Sequence, residues 1–233
     1  MSAMLHTTSH SNATRFGSLA LLCLGLGLSA AALPGCSSTG IAVREMMGFA
    51  KREQLVDRVK EARDGQEAAK KQFESALAEF IAVTGATDAE LEGRYKQLKG
   101  SYDTSESKAK VVRDRITSVE RVSEALFGEW KEELKQYNSE SLRAASQKQL
   151  DDTRAQYDKL ITVMKTAAGK MDPVLAAFKD QVLFMKHNLN ARAIASLEKT
   201  NTQLQSDINA LIKDMEKSIA EANAFVSQMQ TTK

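Results

Sequence analysis

Apolar residues recur along most of this chain at alternating steps of four and three, the spacing that keeps them on one stripe of an α-helix. The first series is Leu55, Val59, Ala62, Gln66, Ala69, Phe73, Ala76, Phe80 and Val83, broken only by Gln66. It stops at Thr84-Gly85-Ala86-Thr87-Asp88. Gly85 suits a helix C-terminus, and Thr87 or Asp88 suits the N-cap of the next helix. The second series is Leu91, Tyr95, Leu98, Tyr102, Ser105, Ala109, Val112, Ile116, Val119, Ser123, Leu126 and Trp130. Its register passes Gly100 without a slip. The spacing therefore predicts one helix of about 50 residues, roughly 75 Å at 1.5 Å per residue, which Gly100-Ser101 can bend without ending. Asn138-Ser139 closes it, with Ser139 placed to cap the helix that follows.

The third series is Leu150, Thr153, Tyr157, Leu160, Met164, Ala167 and Met171. Asp172-Pro173 follows, an N-cap residue before a proline at a first helical position, and marks either a new helix or a kink. A fourth segment opens with the apolar-rich run from Pro173 to Met185. It closes on Ile194, Leu197, Asn201, Leu204, Ile208, Leu211, Met215, Ser218, Ala222, Phe225 and Met229. Heptads sustained this long predict coiled-coil packing, and short connections make successive helices antiparallel. The expected fold is all-α: an elongated antiparallel bundle of three to four long helices over residues 45–233.

One place does not fit. Carried forward from Val182, Met185 and Leu189, the seam reaches Arg192; carried backward from Ile194 and Leu197, it reaches Asn190 and His187. The two registers disagree, so the helix shifts phase or breaks here. His187, Asn190 and Arg192 are candidate binding residues for an anion or a partner. The alternative is a stutter whose polar residues cap a break.

Composition narrows the class. The chain has 233 residues and a formal net charge of +2, without the basic surplus of a nucleic-acid binder. Hydrophobic residues make up 42%, enough for a core. There are only 2 Pro, and the long gap between Pro34 and Pro173 favours helices over strands and turns. Both Cys, Cys23 and Cys36, fall in the first 36 residues, which leaves neither a disulfide framework nor a Cys-rich zinc site.

The beginning of the chain reads as an address. Residues 1–35 contain Arg15 and no acid, and Leu19 to Leu33 is an apolar run of secretory length, short for a membrane span. Leu33-Pro34-Gly35-Cys36 then resembles a bacterial lipobox, with Pro34 in place of the usual small residue. The expectation is a signal peptide over 1–35, lipidation at Cys36 and a short tether over 36–44. Diacylglycerol transfer needs that thiol. Two or three acyl chains, palmitate among them, anchor stably where one is marginal. Ser37 and Ser38 are not the Asp that favours inner-membrane retention in this class, so the expected location is the outer membrane, facing the periplasm.

Catalytic motifs are missing. Gly169-Lys170 lacks the upstream Gly of a phosphate loop and is followed by Met171. There is no G-x-S-x-G and no H-E-x-x-H. His187 is the one His after Cys36, so no second ligand stands at metal spacing. Glu129, Glu132 and Glu133 around Trp130 read as a solvated face paired with Lys131 and Lys135, and Trp130 with the seam aromatics reads as core. No enzyme, no cofactor, no metal and no nucleic-acid partner is expected. The terminal Lys233 matches the wall-attachment residue of the major murein lipoprotein only as a single residue.

Three stretches carry a family resemblance: KREQLVDRVKEARD (51–64), SEALFGEWKEEL (123–134) and Met171 to Leu197, including PVLAAFKDQVLFMKHNLNARAIASL. On these the chain resembles a family of predicted bacterial lipoproteins, a domain of unknown function typical of gammaproteobacteria. The resemblance implies an envelope-anchored helical protein and supplies no catalytic residues. DNA-repair labels carried by some members have no phosphate loop to rest on here. The expected function is a non-enzymatic, lipid-anchored periplasmic coiled-coil scaffold or binding module, with an envelope protein or a second copy as partner. A small-ligand or envelope-stress binding protein using 187–192 is the alternative, and a cytoplasmic DNA-associated coiled coil is a second one.

Overall fold

The computed structural model describes residues 50–190, Ile194 and residues 198–231, with side chains there except those of Thr84 and residues 198–201. Four helices account for nearly all of it: α1 (Lys51–Thr84), α2 (Leu91–Leu134), α3 (Glu140–His187) and α4 (Glu198–Thr231). They contain 34, 44, 48 and 34 residues, or about 51, 66, 72 and 51 Å of helix. The expected all-α bundle is therefore present, with four helices among the described residues.

The seam explains the packing. Every described residue of the four series is buried except Tyr95 and Trp130, which are half-buried against the same core. An isolated helix with so narrow an apolar stripe gains little by itself, and most of its stability comes from covering that stripe with its neighbours. Each helix packs on the one before and after it, and α4 returns to α1, closing the ring. Ion pairs and hydrogen bonds fix the alignment. Lys51 meets Glu129 at 2.9 Å, Arg113 meets Asp172 at 2.8 Å, Lys159 meets Glu221 at 2.8 Å, and Arg63 Nη1 donates to Asn223 at 3.1 Å. In each adjacent pair the residue numbers run in opposite directions, so all four neighbours are antiparallel. These pairs are mostly exposed and contribute little each; they report the register that the core imposes.

Aromatic residues lock two levels of the rod. Phe178 stands edge-on to Phe80 (6.2 Å, 70°) and Tyr102 (5.7 Å, 88°), joining α3 to α1 and α2. Phe127 stands edge-on to Tyr157 at 5.5 Å, with Arg154 over its other side at 5.6 Å. Between these levels the core turns small and polar. Ser218 Oγ donates to Gln66 Oε1 at 2.8 Å, both residues fully buried. The amide Nε2 of Gln66 has no partner. On the flank, Gly65 makes room for Arg115: a Cβ there would lie 3.0 Å from the Arg115 side chain, whose Nη1 donates to the Glu61 carbonyl at 2.6 Å.

Three boundaries differ from expectation. The second helix ends at Leu134 after 44 residues, because Lys135 and Gln136 close a turn onto Glu132 and Glu133 carbonyls. Asp172-Pro173 opens no new helix: α3 runs through Pro173. Asp172 spends its carboxylate on Arg113, and the burial of Met171, Val174 and Leu175 on one seam carries the helix past the missing N–H. Before α2, Thr87 and Asp88 do not occupy the N-cap, which is Glu90. Instead the Glu90 carboxylate accepts from Thr87 N–H (3.0 Å) and Oγ1 (2.7 Å), and those bonds hold its pKa below the usual carboxylate value. Ser139 caps α3 as expected, accepting from Leu142 N–H at 3.4 Å. Gly85 follows α1 with φ −101°, so the position asks for no left-handed backbone.

Candidate functional site

Cys36, the first candidate, lies outside the described residues, as do Arg192 and Lys233. The break after α3 is largely described. Asn188 ends the helix: its N–H bonds to the Met185 carbonyl at 3.1 Å and its side-chain Nδ2 donates to the Phe184 carbonyl at 2.9 Å. Those two bonds satisfy carbonyls that a helix end leaves open. Asn190 N–H reaches Asn188 O at 2.9 Å, and Asn190 O accepts from Ile194 N–H at 3.1 Å. The backbone thus leaves α3 at His187 and is helical at Ile194. Lys186 and His187 stand in the last turn of α3, where the helix dipole favours cations.

The side chains of His187 and Asn190 are exposed, and the described residues do not enclose them. Leu189, which the forward register placed on the seam, is also exposed, at 37%. The physical reason is the cap itself: α3 stops at His187, so the stripe that ends at Met185 is not continued through Leu189. The buried seam resumes at Ile194, which is 1% exposed. Leu183 and Phe184 are exposed beside this break. The structure therefore brings His187 and Asn190 to one pole of the bundle as surface residues around a capped helix end.

The opposite pole holds a feature that the seam pattern did not single out. Arg52 Nη2 donates to the Met229 carbonyl at 3.2 Å, so α4 ends level with the start of α1. Helices α2 and α3 go on beyond them as a hairpin. Trp130 Nε1 donates to Ser146 Oγ at 2.9 Å across its base. Its tip bears exposed Tyr137 (41%) and Leu142 (59%). A cleft of about 380 Å³ lies between its arms, lined by Lys131, Leu134, Lys135, Glu140, Arg143 and Ala144, with Gln147 at one end. Two of the cations are ion-paired, Lys135 with Glu132 at 2.7 Å and Arg143 with Glu140. The sequence held a signal for this surface: Tyr137 and Leu142 are apolar residues off the heptad seam, flanking a turn.

The carboxylates around Trp130 are accounted for in part. Glu129 pairs with Lys51 and Glu132 with Lys135. Trp130 is half-buried and hydrogen-bonded. Among the described residues no group of three or more His, Cys, Asp or Glu is arranged to hold a metal ion. No helix among them is long and apolar enough to cross a membrane.

Comparison with known proteins adds one result. No curated protein and no solved structure matches the chain. A family model described as a protein of unknown function (DUF2959) matches residues 41–229, and on that match, which covers α1 to α3 and α4 as far as Met229, the chain belongs to this family.

Proposed function

We propose that this protein is a non-enzymatic, lipid-anchored coiled-coil module of the bacterial envelope, held at the periplasmic face of the outer membrane and acting as a spacer or docking rod. The observation that carries the reading is Leu33-Pro34-Gly35-Cys36 at the end of an acid-free apolar run, in a chain whose first described helix starts at Lys51. The mechanism is geometric. Acyl chains on the Cys36 sulfur and on the new amino group fix one end of the chain. The four-helix rod, built on helices of about 50–70 Å, then carries its far pole into the periplasm. That far pole presents Leu183, Phe184 and Leu189, partly exposed apolar residues of the kind partner surfaces use. The near-neutral charge of +2 supports contact by shape and apolar area over long-range steering toward phosphate-rich partners.

Metabolic labelling with palmitate tests the anchor. The label is expected in the native protein and lost in Cys36→Ala, with the native protein fractionating with outer membranes. Recovery of the intact leader on a cytosolic protein carrying no added mass at Cys36 overturns the reading.

A further inference from the structure

We propose that the outward face of the first turns of α1 is a docking surface, and that its occupant is the segment 41–49 of the same chain, folded back beside α1.

The observation is a break in the pattern of exposure along α1. No residue from 51 to 60 is exposed, whereas 61, 64, 71, 74, 75, 78, 81 and 82 are. Positions seven residues apart share one place on the helix, so they compare directly. Asp57 is half-buried, but Asp64, Lys71 and Ala78 at the same place are exposed. Gln54 is 1% exposed, but Glu61 and Ser75 at the same place are exposed. Both sets lie off the apolar seam, and a buried amide on the outward side of a helix needs something over it. Helices α2 and α4 do not supply the difference, because they flank both stretches. Glu129 of α2 meets Lys51, and Ser101 meets Gln72. Met229 of α4 meets Arg52, and Glu216 meets Lys70. Helix α3 packs on α2 and α4, across the core from α1. A single copy of the chain shows this burial, so the cover is intramolecular.

Chain position selects the occupant. The compact unit that holds the bundle runs from Gly35 to Lys233, and the family match begins at residue 41, before Ala50. Residues 191–193 and 195–197 fall between Asn190 and Glu198, at the other pole. Thr232 and Lys233 span at most about 7 Å, against about 15 Å for the covered ten residues of helix. Ala50 is extended, with φ −60° and ψ 145°, so the main chain leaves the helix axis there, and Gly48 accommodates a reversal. Residues 41–49 reach at most about 32 Å when extended, enough to run back past Lys60. Ile41, Val43, Met46, Met47 and Phe49 in this segment are apolar. The groove between α1 and α4, about 220 Å³, offers them Val56 and Met229 in its lining. Arg44 of the segment complements Glu53 and Asp57 of the surface in charge.

Where Cys36 is acylated, as proposed above, docking shortens the free tether to residues 37–40, at most about 14 Å, and holds the bundle close to the bilayer. Only that consequence rests on the lipid-anchored reading.

Thiol labelling of the full chain tests the docking, in a Cys23→Ser, Cys36→Ser background that makes the readout independent of lipid. Asp57→Cys is expected to react with a maleimide about tenfold more slowly than Asp64→Cys, since reaction at a covered site waits on local opening. Met46→Glu with Phe49→Glu should bring the two rates within about twofold of each other, because buried carboxylates oppose docking. Helical circular dichroism and cooperative unfolding are expected to persist in that variant. Met46→Leu with Phe49→Leu should keep the rates apart. With Met47→Cys added to Asp57→Cys, a short bis-maleimide should join the two thiols within one chain. Equal rates at the two positions with the segment unaltered overturn the docking. A rate difference that survives both glutamates overturns the choice of segment. Joining of thiols only between chains overturns it too and identifies a second copy as the occupant.

Discussion

The buried pair Gln66 and Ser218 makes the sharpest test of how the core is specified. Gln66 is fully buried and uses only its Oε1, accepting from Ser218 Oγ at 2.8 Å; its Nε2 is unpaired. A hydrogen bond of this kind is worth about 1 kcal/mol, whereas a buried unsatisfied donor costs about 1–3 kcal/mol. Gln66→Leu removes both and places an aliphatic side chain of similar size in the seam. The Ser218 hydroxyl retains a local acceptor in the carbonyl four residues back, at Asp214. The expected net result is stabilisation by about 1–2 kcal/mol. For a domain of this size that is a rise in Tm of roughly 2–8 °C. Gln66→Ala should go the other way, losing about 2–4 kcal/mol, because the surrounding core collapses only partly into the space. Thermal and urea unfolding followed by circular dichroism measure both. A Tm for Gln66→Leu more than a few degrees below wild type would refute the reasoning, since it would mean the amide is fully satisfied and stabilising. Sedimentation of Gln66→Leu adds a second reading. A polar seam residue restricts alternative pairings of apolar stripes, so its removal is expected to broaden the distribution of oligomers relative to the native chain.

Two further predictions concern the aromatic levels. Phe178→Ala empties a fully buried site and breaks edge contacts to Phe80 and Tyr102. It should cost about 3–5 kcal/mol, against under 1 kcal/mol for Leu183→Ala at an exposed position; equal costs in urea unfolding would show that the ring does not join three helices. At Tyr157, burial pushes the phenol up, helped by Glu120, Asp158 and Glu124 and opposed by the Ser123 hydroxyl. A raised folded pKa means that its contribution is fully present below the unfolded value of about 10 and is lost as pH climbs through the folded value. Tyr157→Phe should therefore flatten the fall in Tm between pH 9 and 11, and an unchanged slope would refute the assignment; Tyr102, raised by the same cause, retains part of it.

Heptad spacing by itself determined the helices and their buried faces. The described seam residues are buried, polar Gln66, Ser105, Ser123, Thr153 and Ser218 included, with Tyr95 and Trp130 half-buried, because a 4-3 repeat leaves a helix one face to cover and short connections leave antiparallel neighbours to cover it. The mismatch of registers across 187–192 likewise located the break between α3 and α4. Local signals were weaker guides where tertiary contacts competed. Asp172-Pro173 has the residues of a helix start, yet α3 continues, since Arg113 takes the carboxylate and the seam on either side is buried. Whether His187 and Asn190 form an enclosed site also lay beyond the pattern, because burial depends on what neighbouring helices place over a residue; here the helix end is capped and both are exposed. Only the tertiary structure decided which ends lie together. Periodicity fixes a face and carries no information about how far one helix slides past another. The side-chain alignment of α1 with α2 and of α3 with α4 sets that offset, and with it the pole from which the α2–α3 hairpin projects.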